Sequence, residues 1–264
     1  MKLPIYQVDA FANQIFEGNP AAVVPLQTWL GDDVMQSIAE ENNLSETAFY
    51  VAENKGFNIR WFTPKKEVEL CGHATLAAAF VIFNTPGFEG DVIEFESLSG
   101  MLTVSKDNEL LTLNFPSQVP EVCEITENML KGLGISNQKN QPLECLKNID
   151  YIVVLDSEAA VMDIIPDYGF LQQLDLRGVI VTSVSKNYDF IARFFAPKYG
   201  ISEDPVTGSA YTQLTPYWSE KLGKLRLNAK QVSSRGGELV CELAGERVLI
   251  SGRAIKYLEG EIEI

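Results

Sequence analysis

A chain of 264 residues, 46% of them hydrophobic and with no low-complexity tract, can bury a sizeable core or form two domains of ordinary size. Its formal net charge of −15 argues against nucleic acid or an anionic membrane surface as a partner. No apolar run approaches the roughly 20 residues of a membrane span. The N-terminal residues enter a strand pattern without a signal-peptide core, so we expect a cytoplasmic protein.

The cysteines and the single histidine limit the kinds of site that the chain can build. The four cysteines are widely scattered and include no Cys-x-x-Cys pair, which argues against a zinc site and against a disulfide scaffold. A chain whose only histidine is His73 is a poor candidate for a metal enzyme. We therefore expect no metal ion.

The first half of the chain predicts strands and two helices. Asp32 or Asp33 is the expected cap of the first helix, whose apolar residues fall at helical spacing and which stops near Asn42. Pro64 ends a short aromatic strand, because proline has no N–H to donate. The strands are expected at residues 5–11, 21–24, 44–51, 57–62, 92–95, 100–105 and 110–115.

An alanine-rich, almost wholly apolar segment at residues 70–83 predicts a helix that is buried on all sides. Cys71, Gly72 and His73 fall at its first turn, where backbone N–H groups without internal partners carry a partial positive charge. Such a place favours a carboxylate or another anion, and Gly72 lets a ligand approach the backbone closely. A lone histidine is more often structural than catalytic, so His73 by itself does not identify a site.

Glu46 stands at the entrance of the strand at residues 44–51, with apolar neighbours on either side. A partly desolvated carboxylate is suited to proton transfer near neutral pH. The other interpretation is a solvated glutamate at a sheet edge, and spacing alone favours that interpretation.

The second half repeats the pattern of the first. Residues 193–197 (Arg-Phe-Phe-Ala-Pro) match residues 60–64 (Arg-Trp-Phe-Thr-Pro) at an offset of 133 residues, close to half the chain. Seven residues after each proline a small-residue turn leads into a helix, opened by Cys71 in the first copy and by Asp204 in the second. We interpret the chain as two similar halves, residues 1–117 and 118–264.

Asp204 is the candidate site residue of the second half. It stands just before the second central helix, expected at residues 211–222, where aspartate is also a common cap and Asp-Pro a common turn. If the halves pack about a pseudo-twofold axis, the starts of the central helices face one cleft and bring Cys71, His73 and Asp204 together, with Glu46 nearby. The other elements expected here are a short helix at residues 129–133, capped by Thr126, and strands at 151–155, 179–183 and 190–195.

Short motifs in a fixed order closely resemble those of the PhzF-like (phenazine biosynthesis) isomerase family. Each motif is weak by itself, whereas the ordered set is specific and spans nearly the whole chain. The motifs are residues 18–20 (GNP), 45–49 (SETAF), 62–64 (FTP), 71–77 (CGHATLA), 204–210 (DPVTGSA), 216–218 (PYW), Gln231 and 235–237 (RGG).

The resemblance implies an α+β protein with the diaminopimelate-epimerase fold. In that fold two homologous domains, related by a pseudo-twofold axis, each wrap a curled mixed sheet around a central helix, with the active site between them. The resemblance also implies a homodimeric enzyme that isomerises a small molecule without cofactor or metal. The best-understood activity in the family is isomerisation of dihydro-3-hydroxyanthranilate, in which one glutamate moves a proton between ring carbons.

The resemblance gives each motif residue a role. Glu46 would be the acid/base that takes a proton from carbon and returns it elsewhere on the same substrate. His73 and Asp204 would hold polar groups of the substrate and assist proton movement. Fixed N–H dipoles at the helix starts would bind its carboxylate or amine and stabilise the electron-rich intermediate. The substrate-binding positions are Cys71, Gly72, Gly208 and Ser209.

Three functions stay open, and the isomerase is favoured. Related epimerases of this fold use one cysteine from each half, but here Asp204 stands in place of the second thiol, which disfavours a paired-thiol epimerase. A racemase or epimerase acting on an amino-acid-like substrate through Glu46 with Asp204 or Cys71 is the second function. A non-catalytic small-molecule binding protein is the third, and the intact set of Glu46, His73 and Asp204 counts against it.

Tyr211 departs from the family pattern, in which histidine is common at this position. The change alters the size and hydrogen bonding of the pocket, and it leaves the substrate undetermined. Phenazine synthesis itself is not assigned, because family similarity does not settle the substrate.

Overall fold

The computed structural model describes residues 1–53, 56–135 and 141–264. The chain divides into two compact units: unit 1 is Met1–Phe115 with Leu249–Ile264, and unit 2 is Pro116–Val248. The limits of these units differ from the predicted halves, because the C-terminal residues pack with unit 1. The halves 1–117 and 118–264 concern sequence repetition and stay a prediction.

Strands dominate the described part of the chain. The strands are β1 (Lys2–Ala10), β2 (Asn19–Leu26), β3 (Glu46–Glu53), β4 (Gly56–Phe62), β5 (Glu67–Val68), β6 (Val92–Ser97), β7 (Gly100–Asp107), β8 (Leu110–Pro116), β9 (Glu121–Val122), β10 (Glu144–Lys147), β11 (Tyr151–Val154), β12 (Val179–Val184), β13 (Phe190–Phe195), β14 (Arg226–Gln231), β15 (Gly237–Ala244), β16 (Arg247–Gly252) and β17 (Ala254–Glu263). The helices are α1 (Asp32–Asn42), α2 (Gly72–Phe83), α3 (Glu127–Gly132), α4 (Glu158–Met162), α5 (Tyr168–Leu171) and α6 (Gly208–Leu222), with a 3₁₀ turn at Pro197–Tyr199.

The sheet of unit 1 is mixed. Strand β1 pairs antiparallel with both β17 and β2, β2 runs parallel to β3, and β3 is antiparallel to β4. The sheet continues from β4 to the parallel strand β6 and then to the antiparallel strands β7 and β8. Helix α1 connects the parallel strands β2 and β3, and α2 lies in the connection between β4 and β6, as parallel pairing requires.

Unit 2 shows the same succession of strand directions. From β10 to β15 the pairings are antiparallel, parallel, antiparallel, parallel and antiparallel, which is the order found from β1 through β2, β3, β4 and β6 to β7. Helices α4 and α5 connect one parallel pair, and α6 connects the other. Two copies of one motif would produce this repetition. The duplication and the pseudo-twofold relation stay predictions.

The alanine-rich segment forms helix α2, as predicted. It is buried along nearly its whole length and packs against β1, β2 and β3. Small side chains let the strands approach the helix closely, and an all-apolar helix gains most when it is enclosed on all sides. Cys71 is its N-cap, with extended backbone dihedrals.

Several local predictions were wrong. Gly31, and not Asp32 or Asp33, is the N-cap of α1. The two aspartates occupy the first turn, where their negative charge interacts favourably with the helix dipole. Helix α6 starts at Gly208 and not at residue 211, because burial overrides the poor helix propensity of glycine and serine. Strand β14 was missed, since its lysine, asparagine and alanine have low strand propensity although its burial alternates.

In the described ranges no helix combines the length and the apolar character needed to cross a membrane.

The burial of α2 predicts how it responds to truncation. Leu76 is fully buried in this helix, whereas Leu70, just before it, is 41% exposed. We expect Leu76→Ala to lower the free energy of unfolding by about 2–5 kcal/mol, since it leaves a cavity. The control Leu70→Ala should cost about 0.5 kcal/mol or less. Urea denaturation followed by circular dichroism measures both, and equal losses would contradict the enclosed position of α2.

Candidate active site

Four side chains meet at one edge of the sheet of unit 1. Three belong to predicted site residues (Glu46, Cys71 and His73), and the fourth is that of Asn19. Asn19 begins β2 and Glu46 begins β3, and the parallel register of these strands pairs Ala21 with Glu46. The two strands therefore present their first residues at the same edge. Cys71 and His73, at the start of α2, lie beside them.

His73 is held between three neighbours. Its Nε2 lies 3.1 Å from Oε2 of Glu46, and its Nδ1 lies 3.4 Å from Nδ2 of Asn19 and 3.6 Å from Sγ of Cys71. The side chains of His73 and Glu46 are only 7% and 12% exposed. The imidazole thus has a fixed orientation, with one nitrogen towards a carboxylate and the other towards an amide and a thiol.

The contact between His73 and Glu46 is short, but it is not a hydrogen bond. Oε2 of Glu46 and Nε2 of His73 are buried, and within the described residues neither atom has a hydrogen-bond partner. Their separation is that of an ion pair without the geometry of a hydrogen bond. Buried polar atoms of native proteins almost always have a partner, so this pair is suited to receive a third group.

Burial and charge set the protonation of this cluster. Burial, followed by the nearby carboxylate of Glu46, raises the pKa of the Cys71 thiol, so Cys71 is a neutral thiol at neutral pH. Burial by itself would lower the pKa of His73, but Cys71 and Glu46 outweigh it, and the pKa lies well above the ordinary 6.5. Because Cys71 keeps its proton, the carboxylate of Glu46 is the charge that supports an imidazolium.

Glu46, Cys71 and His73 are also the residues that could bind a metal ion. One donor atom from each of Glu46, Cys71 and His73 lies within 4.8 Å of the others, and these donor types suit zinc. However, Glu46 approaches Nε2 of the ring, whereas Cys71 approaches Nδ1. Contacts on opposite edges of one imidazole suit a hydrogen-bonded relay better than three ligands that converge on one ion.

Asp204 is the centre of a second cluster, in unit 2. Its Oδ2 accepts a hydrogen bond of 2.6 Å from the hydroxyl of Thr207, and its backbone carbonyl accepts one of 2.8 Å from Nε2 of Gln231. Oε1 of Gln231 in turn accepts from the N–H of Thr207 at 2.9 Å. Thr207 is the N-cap of α6 but its side chain makes no capping bond to the helix: the hydroxyl donates to Asp204, and its oxygen accepts from Nε2 of Gln231 at 3.2 Å.

A buried charge pair fixes Ser209 at the start of α6. Nε and Nη2 of Arg177 donate to the carboxylate of Asp150, which is fully buried and also accepts a 2.8 Å hydrogen bond from Gln213. Nη1 of Arg177 donates to Oγ of Ser209 at 2.9 Å. Oγ of Ser209 accepts this hydrogen bond and keeps its own hydrogen, which it can donate to an acceptor. A carboxylate oxygen is such an acceptor.

The predicted site residues therefore form two groups. Unit 1 brings Glu46, Cys71, Gly72 and His73 together, and in unit 2 Asp204 stands just before Gly208 and Ser209. Two surface cavities of unit 1, of about 540 and 250 Å³, are lined by none of these residues.

Sequence reasoning missed the residues that hold the site residues in place. Asn19 was noted only in a turn motif, although its position at the start of a strand next to β3 is a signal for contact with the same edge. Arg177 and Asp150 gave no signal, because they lie 27 residues apart and meet only in the folded chain. Tyr211, noted as a departure, is fully buried against Phe190, and among the described residues its hydroxyl has no hydrogen-bond partner.

The raised pKa of His73 predicts a pH dependence with a defined sign. The folded state binds the imidazole proton more tightly, so its stabilisation is present below the unfolded pKa of about 6.5 and is lost as pH rises through the folded value. We expect Glu46→Gln to lower the pKa, because it removes the supporting charge. An NMR titration of the ring measures this without ambiguity, since the chain has one histidine. The control Glu53→Gln, at the exposed end of β3, should leave the midpoint in place; a midpoint that Glu46→Gln does not move would exclude Glu46 as the cause.

Comparison with known proteins agrees with this arrangement of motifs. Residues 8–260 match the family model described as phenazine biosynthesis-like protein, PhzC-PhzF. A Pseudomonas aeruginosa protein named as an isomerase is 48% identical over 264 residues, covering 100% of both chains. The crystal structure of a phenazine biosynthesis protein of the PhzF family from Enterococcus faecalis has a TM-score of 0.96 at 47% identity, covering 100% of both chains. A hydroxyproline epimerase from Agrobacterium vitis, with a TM-score of 0.62 at 10% identity over 99% of this chain and 92% of its own, shares the fold alone. The fold is thus the mixed, sheet-dominated α+β fold of the epimerase group, and the chain belongs to the phenazine biosynthesis-like (PhzC-PhzF) family.

Proposed function

We propose that this protein is a cofactor-independent isomerase that moves a proton between carbon atoms of a small substrate, with Glu46 as acid and base. The isomerase class is supported by the family and by relatives at 47–49% identity that are named isomerases. The role of Glu46 is supported above all by its buried Oε2, which lies 3.1 Å from Nε2 of His73 while neither atom has a hydrogen-bond partner within the described residues.

The reaction needs no oxidant or second substrate. The carboxylate of Glu46 takes a proton from one carbon and the electron pair moves through the substrate. The carboxyl group, whose proton exchanges with solvent, then delivers a proton to another carbon. A desolvated carboxylate is a suitable base for this step, and general acid–base catalysis of this kind contributes about 10²–10⁴-fold in rate. The N–H at Nε2 of His73 lies beside the transferred proton and stabilises the negative charge that develops on the substrate.

Asn19 and Cys71 keep His73 ready for this role. The amide of Asn19 carries both a donor and an acceptor, so it can serve Nδ1 of the neutral ring and Nδ1–H of the imidazolium. Cys71 keeps its proton because burial raises the pKa of its thiol. A protonated thiol is a poor general base, which favours the one-carboxylate isomerase over an epimerase that uses Cys71.

We infer that the groups of unit 2 bind the polar end of a substrate. Ser209 offers a hydroxyl donor at the start of α6, where the backbone dipole favours negative charge, and Asp204 offers a carboxylate. The combination fits a substrate with a carboxylate next to an amine or hydroxyl group. The homodimer expected from the family is likewise a proposal, which light scattering tests.

Glu46→Gln is the direct test of the proton transfer. In deuterated water we expect the wild type to place deuterium on carbon in at least one member of a panel of cyclic and acyclic amino and hydroxy acids. Glu46→Gln should reduce that exchange by about 10²–10⁴-fold, since the amide cannot accept the proton. Mass spectrometry and NMR measure the exchange and its position. Movement of the proton to a second carbon indicates the isomerase, whereas inversion at one carbon indicates the racemase or epimerase.

Glu53→Gln is the matched control, because Glu53 lies at the opposite end of the same strand and is exposed. It should keep wild-type exchange. Exchange that survives in Glu46→Gln would remove Glu46 as the base and direct attention to Asp204 and Cys71.

Asp204→Asn tests the second cluster. Losing a hydrogen bond from a charged group should raise KM by about 10- to 100-fold, with a smaller effect on kcat, because the substrate is held less firmly. Asp156→Asn, an exposed position of the same unit, serves as the control. A fall in kcat at unchanged KM would instead place Asp204 in the proton transfer.

A further inference from the structure

Cys123 and Cys145 are directly opposite each other on neighbouring strands of unit 2. The register of β9 with β10 pairs Val122 with Leu146 and Glu121 with Lys147, so the next residues along the strands are the two cysteines. The N–H of Cys123 donates to the carbonyl of Cys145 at 2.9 Å. Antiparallel neighbours of this kind have Cα atoms about 5.5 Å apart, within the roughly 4.4–6.8 Å that a disulfide spans.

The two thiols already touch. Their Sγ atoms are 3.5 Å apart, and both cysteines are free. Cys145 is buried, with Sγ 3.7 Å from Sδ of Met129, whereas Cys123 is partly exposed. Burial, together with the neighbouring thiol of Cys123, raises the pKa of Cys145 to about 12. Cys123 is therefore the thiol that a soluble reagent meets first, and Cys145 is protected behind it.

We propose that Cys123 and Cys145 form a reversible disulfide, an oxidation site of unit 2 that uses a low-molecular-weight disulfide such as oxidised glutathione as its oxidant. The site is separate from the Glu46 and Asp204 clusters. Sequence spacing gave no signal for it, since the two cysteines are 22 residues apart and only the pairing of β9 with β10 brings them together.

The chemistry is two successive thiol–disulfide exchanges. The thiolate of Cys123 attacks one sulfur of oxidised glutathione, which forms a mixed disulfide and releases one glutathione thiolate. Cys145 then loses its proton to solvent and attacks Sγ of Cys123, which forms the protein disulfide and releases the second glutathione. Two protein thiols are oxidised, and one glutathione disulfide is reduced to two thiols.

The link would act on the segment by which the chain enters unit 2. That segment already contacts α6 through the N–H of Gln118, which donates to the carbonyl of Thr212 at 3.0 Å. Strand β10 also contacts α6, since Glu144 pairs with Lys221. A disulfide would join these two attachments covalently and stabilise the oxidised chain against unfolding.

Mass spectrometry of the folded protein tests the proposal. Wild type is equilibrated in glutathione buffers of increasing oxidised fraction, its remaining thiols are alkylated, and the intact mass and peptides are analysed. We expect the oxidised chain to carry two alkylated thiols instead of four, and its intact mass, after the added alkyl mass is subtracted, to be two hydrogen atoms below that of the reduced chain. One cross-linked peptide pair should contain Cys123 and Cys145. Excess reduced glutathione should restore all four thiols.

Cys123→Ser and Cys145→Ser are the matched controls, and neither should form the internal link. The wild-type result stands without them, so a variant that folds poorly does not affect it. The proposal is overturned if folded wild type stays fully reduced, if it stops at a glutathione adduct on Cys123, or if the cross-link maps to Cys71 or Cys241.

Discussion

The contact between His73 and Glu46 is the interaction on which the candidate site of unit 1 depends. It exists only if α2 places the imidazole at its first turn and β3 begins at the glutamate. A shift of β3 by one residue would turn Glu46 to the other face of the sheet. The parallel register of β2 with β3 prevents this shift and at the same time brings Asn19 to the other side of the ring. The architecture of the unit thus serves to fix one imidazole between a carboxylate and an amide.

Both long central helices leave their first turn without a side-chain cap. The short helices α3, α4 and α5 are capped by Thr126, Ser157 and Asp167, whereas Cys71 and Thr207 make no such bond. In unit 2 the polar groups around the helix start are held from outside, by Gln231 and by the buried pair of Arg177 with Asp150. The fully buried carboxylate of Asp150 is tolerable because it accepts hydrogen bonds from Arg177 and from Gln213. The side chains of Cys71 and Thr207 thus do not cap the first turns of α2 and α6.

Local sequence patterns predicted the parts of the fold that depend on local chemistry. The apolar run of α2 and the cap at Thr126 are confirmed. The strand expected at residues 44–51 is found at Glu46–Glu53, with Glu46 at its entrance. The start of α6 and the strand β14 were wrong or missed, because burial in the folded chain outweighs the propensity of their residues. The support for the site, from Asn19 to Arg177, could not be predicted, since it depends on contacts between residues far apart in sequence.

The pairing of β1 with β17 has a consequence for how the chain is made. Unit 1 is built from both ends of the sequence, whereas unit 2 is one continuous segment. During synthesis on the ribosome, one edge of β1 has no pairing partner until β17 emerges, and by then all of unit 2 has been synthesised. Unit 2 can therefore complete its fold before unit 1. The unpaired side of β1 is in the meantime an open sheet edge, which favours aggregation in an incompletely folded chain.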